Sequence, residues 1–477
     1  MEKQIRKIIK TPKNYWQEMA LILASIIYFF YFSLASVLKY NNFYTGRFDL
    51  GNMTQTVWNT KHGDFFMLTN PNGTNEVSRL AFHADFILAF FAPLYFIWED
   101  PRVLLIIQSL VLALGGIFVY LIAKEVLKNK TISLVLSVCF FLNPAVNYTN
   151  LFDFHSVTLA TTFLLAAFYF IIKRKWFLTI LFLFLAGITK EQVWGITFIF
   201  GLYLIFISKQ KLLGTAVSIL SLITFYVLFW HAIPFAAKDQ HFALEFYSDY
   251  GNSPGEIIKN ILINPIDAIK ILTMPDRISY LRQLFIPLGY LSFIFFPFLI
   301  FASPDLFINL MSGSNQMHQI YYQYSATVTP FIFIGAIYGI KFLIKKIPEI
   351  PLGAISIFIL ILTITSAYNY GPLLFAKKPN NAWYKKPLAN KHVINNYLKA
   401  VPENTKISAS NDLGSHLSHR KDIYVMPLGL EKADMAMLLM QNSNDQERKN
   451  LADMKINPNF TLIFNDGDFY VFKKINP

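Results

Sequence analysis

The sequence predicts an all-α polytopic membrane domain followed by a small water-soluble α/β domain. Three observations lead there. Hydrophobic residues make up 54% of the 477 residues and charged residues only 15%, with a mean hydropathy of +0.41; such an apolar excess must face lipid. Apolar windows of about 20 residues, the length a spanning helix needs, recur from Met19 onward. They stop near Tyr370, after which helix patterns mix with short strand-like runs. This places the membrane domain at 1–372 and the soluble domain at 373–477.

Taken in order, Lys3, Arg6, Lys7, Lys10 and Lys13 make a basic segment that should stay in the cytoplasm. Met19 to Tyr40 is long enough to span and lacks a small-residue cleavage site, so it reads as a signal anchor. A polar loop follows from Asn41 to Arg79. The short aromatic stretch 82–98, interrupted by Pro93, reads as a helix lying in the interface. Further spans are expected at 102–123, 131–149, 157–172, 176–189, 193–207, 212–235, 325–344 and 351–369. Between 256 and 324 the count is open. Pro287, Pro297 and Pro304 suggest a broken or re-entrant hairpin, and the amphipathic 257–273 is an alternative crossing. The total is roughly eleven crossings.

The basic residues give orientation. The formal charge of +13 would suggest nucleic acid in a soluble protein. Here, clusters such as Lys173-Arg174-Lys175 and Lys209-Gln210-Lys211 sit between apolar runs, the pattern of cytoplasmic loops beside anionic lipid. With 124–130, 173–175 and 208–211 cytoplasmic, alternation puts loops 41–101, 143–156, 190–192 and 236–256 on the outer face, and the tail outside as well. Cys139, the single cysteine, lies in an apolar run and reads as a packing residue. In the tail, strands are expected at 406–410, 423–426, 460–464 and 469–472, the last two joined by a hairpin at Asn465-Asp466-Gly467-Asp468.

No P-loop, dinucleotide fingerprint or zinc spacing is present. What stands out is a set of ionisable groups at membrane boundaries on the outer face: Arg47-Phe48-Asp49, His83-Ala84-Asp85, Asp153-Phe154-His155 and Lys190-Glu191. Boundary residues are often merely solvated, yet ionisable groups at the edge of apolar segments are costly and tend to be functional. An aspartate there suits a general base or a divalent-cation ligand. Lysine, arginine and histidine suit a phosphate or diphosphate. Together they fit sugar transfer from a polyprenyl phosphate, or binding of a transported ion.

These motifs carry a resemblance. Phe48-Asp49-Leu50-Gly51 with Gln55 and Trp58, then His83, Leu104 to Gln108, Asp153-Phe154-His155 and Lys190-Glu191, resembles a family of prokaryotic multi-span predicted membrane proteins. The match resumes at Tyr322 to Ala326 and at His416-Leu417-Ser418-His419-Arg420, so it covers most of the chain. It departs from the pattern at Ser156, at Gly414-Ser415 and after His83. The family looks like a branch of the GT-C glycosyltransferases, of the protein mannosyltransferase and aminoarabinose transferase type. The resemblance implies a GT-C-like membrane domain with Asp49 as catalytic base or ligand of a divalent cation (magnesium or manganese), and Lys190 near a donor phosphate.

The resulting expectation is an inverting membrane glycosyltransferase of the cell membrane, using a polyprenyl-phosphate sugar donor on the extracytoplasmic face, with an open acceptor. Asp49 and Glu191 are the expected catalytic pair. Arg47, Gln55, His83, Asp85, Asp153, His155 and Lys190 are expected to bind substrate. His318, Tyr321, Tyr322 and Tyr324, at the outer end of a span, fit either an aromatic belt or sugar stacking. His416, His419 and Arg420 fit metal or phosphate binding or docking of the tail, with the two histidines on one helix face. A transporter or lipid flippase, whose charges would reach both faces, and a non-catalytic scaffold are the alternatives.

Overall fold

The computed structural model describes residues 15–475; the basic residues Lys3 to Lys13 lie outside them. The first helix, Trp16–Asn41, is about 39 Å long at 1.5 Å per residue. Its apolar residues divide between two faces. Ile22, Ile26, Phe30 and Leu34 recur every fourth residue and are exposed, as a lipid-facing stripe requires. Leu21, Tyr28, Phe32 and Ala35 are buried against the bundle.

Among the described residues, four helices are long and apolar enough to cross a membrane: Trp16–Asn41, Arg102–Leu127, Lys211–Ala237 and Leu352–Tyr370. Lys130–Leu142 and Pro144–Leu151 make a fifth if taken as one span bent by 45°. The bend has a local cause. Pro144 has no N–H to continue the first helix, and the Asn143 side chain accepts hydrogen bonds from Ala145 N and Val146 N to start the second. Of the roughly eleven crossings expected, these are the ones whose helices pass in length and composition. Ser156–Ile172, Trp176–Gly187 and Val193–Phe206 are apolar helices of 17, 12 and 14 residues. The last two are about 18 and 21 Å long, against a hydrocarbon core of about 30 Å. They form a short hairpin whose tip carries Lys190 and Glu191.

The region between 254 and 311 is broken throughout. The stretch 257–273 is two short helices, Pro254–Ile263 and Pro265–Leu272, not one crossing, because Pro265 starts a new helix. Pro287, Pro297 and Pro304 each lie in the first turn of a short helical piece. Thr329–Lys346 then runs through the core, with Phe331, Phe333 and Ile337 fully buried.

The outer loop contains a two-stranded hairpin, β1 (Met67–Thr69) and β2 (Glu76–Ser78). The tail builds a five-stranded mixed sheet from β3 (Ile407–Ala409), β4 (Ile423–Val425), β5 (Met435–Leu439), β6 (Phe460–Asp466) and β7 (Phe469–Lys474), ordered β4-β3-β5-β7-β6. β3 is parallel to β4 and β5, and β7 is antiparallel to β5 and β6. The β6–β7 hairpin turns at Gly467, whose φ of 56° suits glycine. β5 is absent from the expected strands, since Met-Ala-Met-Leu-Leu reads equally well as helix. Helices Lys391–Ala400 and Asp445–Lys455 complete the domain, the second with an Asn444–Glu447 capping box.

Candidate functional site

The site begins where the first helix ends. Arg47–Gly51 forms a π-helical turn, a geometry that recurs at functional sites, and the tail packs directly onto it. A Cβ added at Gly414 would lie 2.2 Å from Arg47 Cβ, and one at Gly51 would lie 2.9 Å from Ser418 Oγ. Asn411 Oδ1 accepts the Arg47 N–H at 2.9 Å. Held between helix and tail, the turn sends its two charged side chains in different directions.

Arg47 points inward and is 1% exposed. Its guanidinium donates to Asn52 Oδ1, to Gln55 Oε1, and to the Thr69 carbonyl at 3.0 Å. Gln55 Nε2 in turn donates to the carbonyls of Arg420 and Lys421 in the tail, at 2.9 and 3.0 Å. Arg47 and Gln55 thus join the outer loop to the tail.

Asp49 instead lines a pocket of about 230 Å³, together with His83, Asp85, His155 and Lys190. His155 Nε2 is 3.2 Å from Asp49 Oδ1. Burial pushes the Asp49 pKa up, but the hydrogen bond and charge of His155, with the charges of Lys39 and Arg79, outweigh it and hold the carboxyl below its usual range. At neutral pH Asp49 is a carboxylate. His155 is placed by its backbone N–H, which donates to Gln108 Oε1 at 2.9 Å, while Gln108 Nε2 donates to the Asp153 carbonyl at 2.9 Å.

Asp153 does not reach the pocket. Its carboxylate meets Lys39 Nζ at 2.8 Å and accepts the Gly46 N–H at 3.3 Å, tying the end of the first helix to the loop that carries His155. Asp85 lines the pocket but is engaged by Arg79, whose Nε and Nη2 donate to it at 3.0 and 2.9 Å.

Lys190 differs from the other cations. Among the described residues its ammonium forms no ion pair or hydrogen bond, although His83, Glu191 and Asp305 lie near enough to feel its charge. It borders two cavities. One is the Asp49 pocket; the other is an apolar cavity of about 380 Å³ lined by Phe225, Phe229, Trp230, Ile257, Ile261 and Phe307. The two share His83, Lys190, Phe242, Gln323 and Tyr324.

Glu191 lies behind this boundary, buried. Its Oε1 is 2.9 Å from His83 Nδ1 and 3.2 Å from His241 Nε2, and its Oε2 accepts the Ala84 N–H at 3.0 Å. Burial opposes its charge, but His83, His241 and Lys190 overcome that and hold its pKa well below the carboxylate range. Burial and the charge of Lys190 lower His83 to about 4. Glu191 is thus the centre of a His–Glu–His cluster and lines the apolar cavity, not the pocket that holds Asp49.

A divalent cation on Asp49 has too few donors. Asp49 has one imidazole beside it, and the nearby Asp153 carboxylate is occupied by Lys39. Among the described residues, the one group of three close metal-ligating side chains is His83, Glu191 and His241. The donors around Asp49 do not fit the ion.

The remaining expected residues lie elsewhere. The Tyr322 ring packs edge-on against Phe152, 4.9 Å between centroids, beside the pocket. His416 stacks on Tyr40 at 4.0 Å and its Nε2 lies 2.9 Å from the Tyr40 carbonyl. Arg420 donates within the tail, to the Leu417 and Thr405 carbonyls at 2.8 and 2.9 Å. His419 packs beside Tyr95. The two histidines do not share a helix face, because the helix Asn411–Gly414 stops where Gly414 presses on Arg47. Sequence reasoning missed Arg79, His241, Phe242 and Gln323. Gln323 fell inside the recognised Tyr322 to Ala326 run, whereas His241 had no local signal.

A family model for predicted membrane proteins, DUF2079, matches residues 39–467. The chain belongs to that family. No curated protein matches it in sequence. Among solved structures, it is similar to ArnT from Cupriavidus metallidurans bound to undecaprenyl phosphate, with a TM-score of 0.55 at 9% identity, covering 96% of this chain and 98% of that one. The Archaeoglobus fulgidus oligosaccharyltransferase, in complex with zinc and sulfate, is also similar, with a TM-score of 0.42 at 14% identity over 85% of this chain and 62% of that one. The likeness to ArnT, a GT-C glycosyltransferase, gives the DUF2079 chain a GT-C-like fold.

Proposed function

We propose that this DUF2079 protein is an inverting glycosyltransferase that takes a sugar from a polyprenyl-phosphate donor and passes it to an acceptor hydroxyl on the extracytoplasmic face of the cell membrane. The observation that carries this reading is the pair of joined cavities. Asp49 lines one, a pocket of mixed polar and apolar character; the other is mainly apolar, as a lipid chain requires; Lys190, which forms no ion pair or hydrogen bond among the described residues, lines both. A lipid phosphate has the same order of parts. The fold shared with ArnT, whose structure contains undecaprenyl phosphate, supports the same donor class.

In this reading Asp49 accepts the proton of the acceptor hydroxyl while that oxygen bonds to the anomeric carbon. The bond from that carbon to the phosphate oxygen breaks, and its electron pair stays on the phosphate. The products are a glycoside of inverted configuration and polyprenyl phosphate. Lys190 receives the leaving phosphate charge by a charge-assisted hydrogen bond. His155 orients Asp49. The basic clusters at 173–175 and 208–211 support an outer location for this end of the bundle and for the tail, with the N-terminus cytoplasmic.

A flippase needs polar groups along a path to the opposite face, whereas the groups gathered here lie at one end of the helices. The test is turnover by the full chain in lipid nanodiscs, with undecaprenyl-phosphate-linked sugars as donors and cell-envelope glycans as acceptors. Release of undecaprenyl phosphate that depends on Asp49 and on added acceptor supports the reading. Release at an unchanged rate in Asp49→Asn removes the assigned base and with it the mechanism.

A further inference from the structure

His83, Glu191 and His241 come from three separate segments: the outer loop, the tip of the short hairpin, and the chain that follows the helix Lys211–Ala237. Their ligating atoms all lie within 4.8 Å of one another. A tetrahedral ion with bonds of about 2.0–2.2 Å holds neighbouring ligands about 3.3–3.6 Å apart, so small rotations suffice to close the set. Glu191 and His241 are buried, with side chains 4% and 2% exposed, and His83 is partly open at 21%. The Ala84 N–H fixes Glu191 through Oε2 and leaves Oε1 turned to both rings. An outer hydrogen bond of this kind orients ligands in built metal sites.

We propose that these three side chains bind one zinc ion. Two imidazoles and one carboxylate suit zinc, whereas magnesium and manganese favour oxygen donors. Three protein ligands leave a fourth position for water or an anion. The ion clamps the Ala84 loop, the Lys190–Glu191 corner and the 238–250 segment, whose Phe242 forms part of the wall common to both cavities. It thereby sets the position of Lys190. That bearing on a donor phosphate rests on the transferase reading; zinc binding itself does not.

Ligation has one local cost that makes it visible. His241 Nδ1 accepts the Ala243 N–H at 3.1 Å, so in the neutral ring Nε2 carries the proton. Binding zinc through Nε2 moves that proton to Nδ1, and the Ala243 N–H must then turn away. Both rings also give up their hydrogen bonds to Glu191 Oε1, and bonds from the metal to the two nitrogens and to the carboxylate replace them.

The test uses the full chain in detergent, stripped with chelator, titrated with zinc chloride and desalted before metal analysis. One zinc per chain is expected. Glu191→Gln and His241→Ala should each weaken binding about 100-fold or more, while Asp49→Asn and the exposed-residue control His392→Ala keep it. Zinc should speed hydrogen exchange at Ala243 in the unaltered protein. Cobalt in place of zinc should give intense visible bands of a tetrahedral site, a readout that needs no variant to fold. Absence of stoichiometric zinc, retention of affinity in His241→Ala, or loss in Asp49→Asn overturns the assignment. Zinc bound in a protein without transferase activity would uphold it and count against the transferase reading alone.

Discussion

Arg47 and Asp49 are two residues apart on one turn, yet their surroundings differ in kind. The Arg47 guanidinium is enclosed and donates to two side-chain amides and a backbone carbonyl. Asp49 has one imidazole beside it and opens onto a pocket, its side chain 35% exposed. A charge enclosed by acceptors of the protein itself holds structure together. A charge with capacity left over, facing a cavity, is available to a ligand. The same contrast separates Asp85 and Asp153, each engaged by a cation, from Lys190, which has no such partner.

This division can be broken most sharply at Asp49. Asp49→Asn should lower turnover by about 10²–10⁴-fold, the usual worth of a general base, while the melting temperature and docking of the tail stay unchanged. A large loss of stability instead would move Asp49 to the structural side. Arg47→Ala should behave in the opposite way. It strands the buried Asn52 Oδ1, at about 1–3 kcal/mol for an unsatisfied group, and removes a donor from Gln55 Oε1 and the Thr69 carbonyl. Limited proteolysis should therefore release the tail more readily, and equal resistance would refute its role as a joint.

Lys190→Ala should raise the KM for a polyprenyl-phosphate donor about 10–100-fold, since a hydrogen bond to a charged group contributes about 1.5–3 kcal/mol. Its stability should change less than that of Arg47→Ala, because no ion pair or hydrogen bond is broken. A fall in melting temperature as large as that of Arg47→Ala would erase the difference between the two cations.

The smallest effects concern pH and the tail. Burial, and then the charge of Glu447, raise Asp412 from 3.8 to about 7. A raised folded-state pKa gives stability that is present below pH 3.8 and lost as pH rises through 7. Asp412→Asn should thus raise the melting temperature at pH 8 and leave it unchanged at pH 3.5, as thermal melts would check. His416 and His419 are lowered from 6.5 to about 4, chiefly by burial. The unfolded state binds more protons in that interval, so tail docking should weaken as pH falls from 6.5 towards 4. Protease sensitivity that does not change across this window would place both rings outside the joint.

The sequence by itself determined that this is a membrane protein with a polar tail, because composition and apolar run length are local properties that lipid imposes directly. It also located the boundary groups, since Asp49, His83, His155 and Lys190 stand out against apolar neighbours. Span counting was less secure. Run length alone does not separate a full crossing from short helices such as Trp176–Gly187 and Val193–Phe206. Only the tertiary structure decided which charges are occupied. Asp153 and Arg47 look as functional in the chain as Asp49 does, and it is Lys39, distant in sequence, and Gln55, itself expected to bind substrate, that engage them. His241 joins His83 and Glu191 for the same reason: a ligand set assembled from three segments has no spacing to read, and packing alone brings it together.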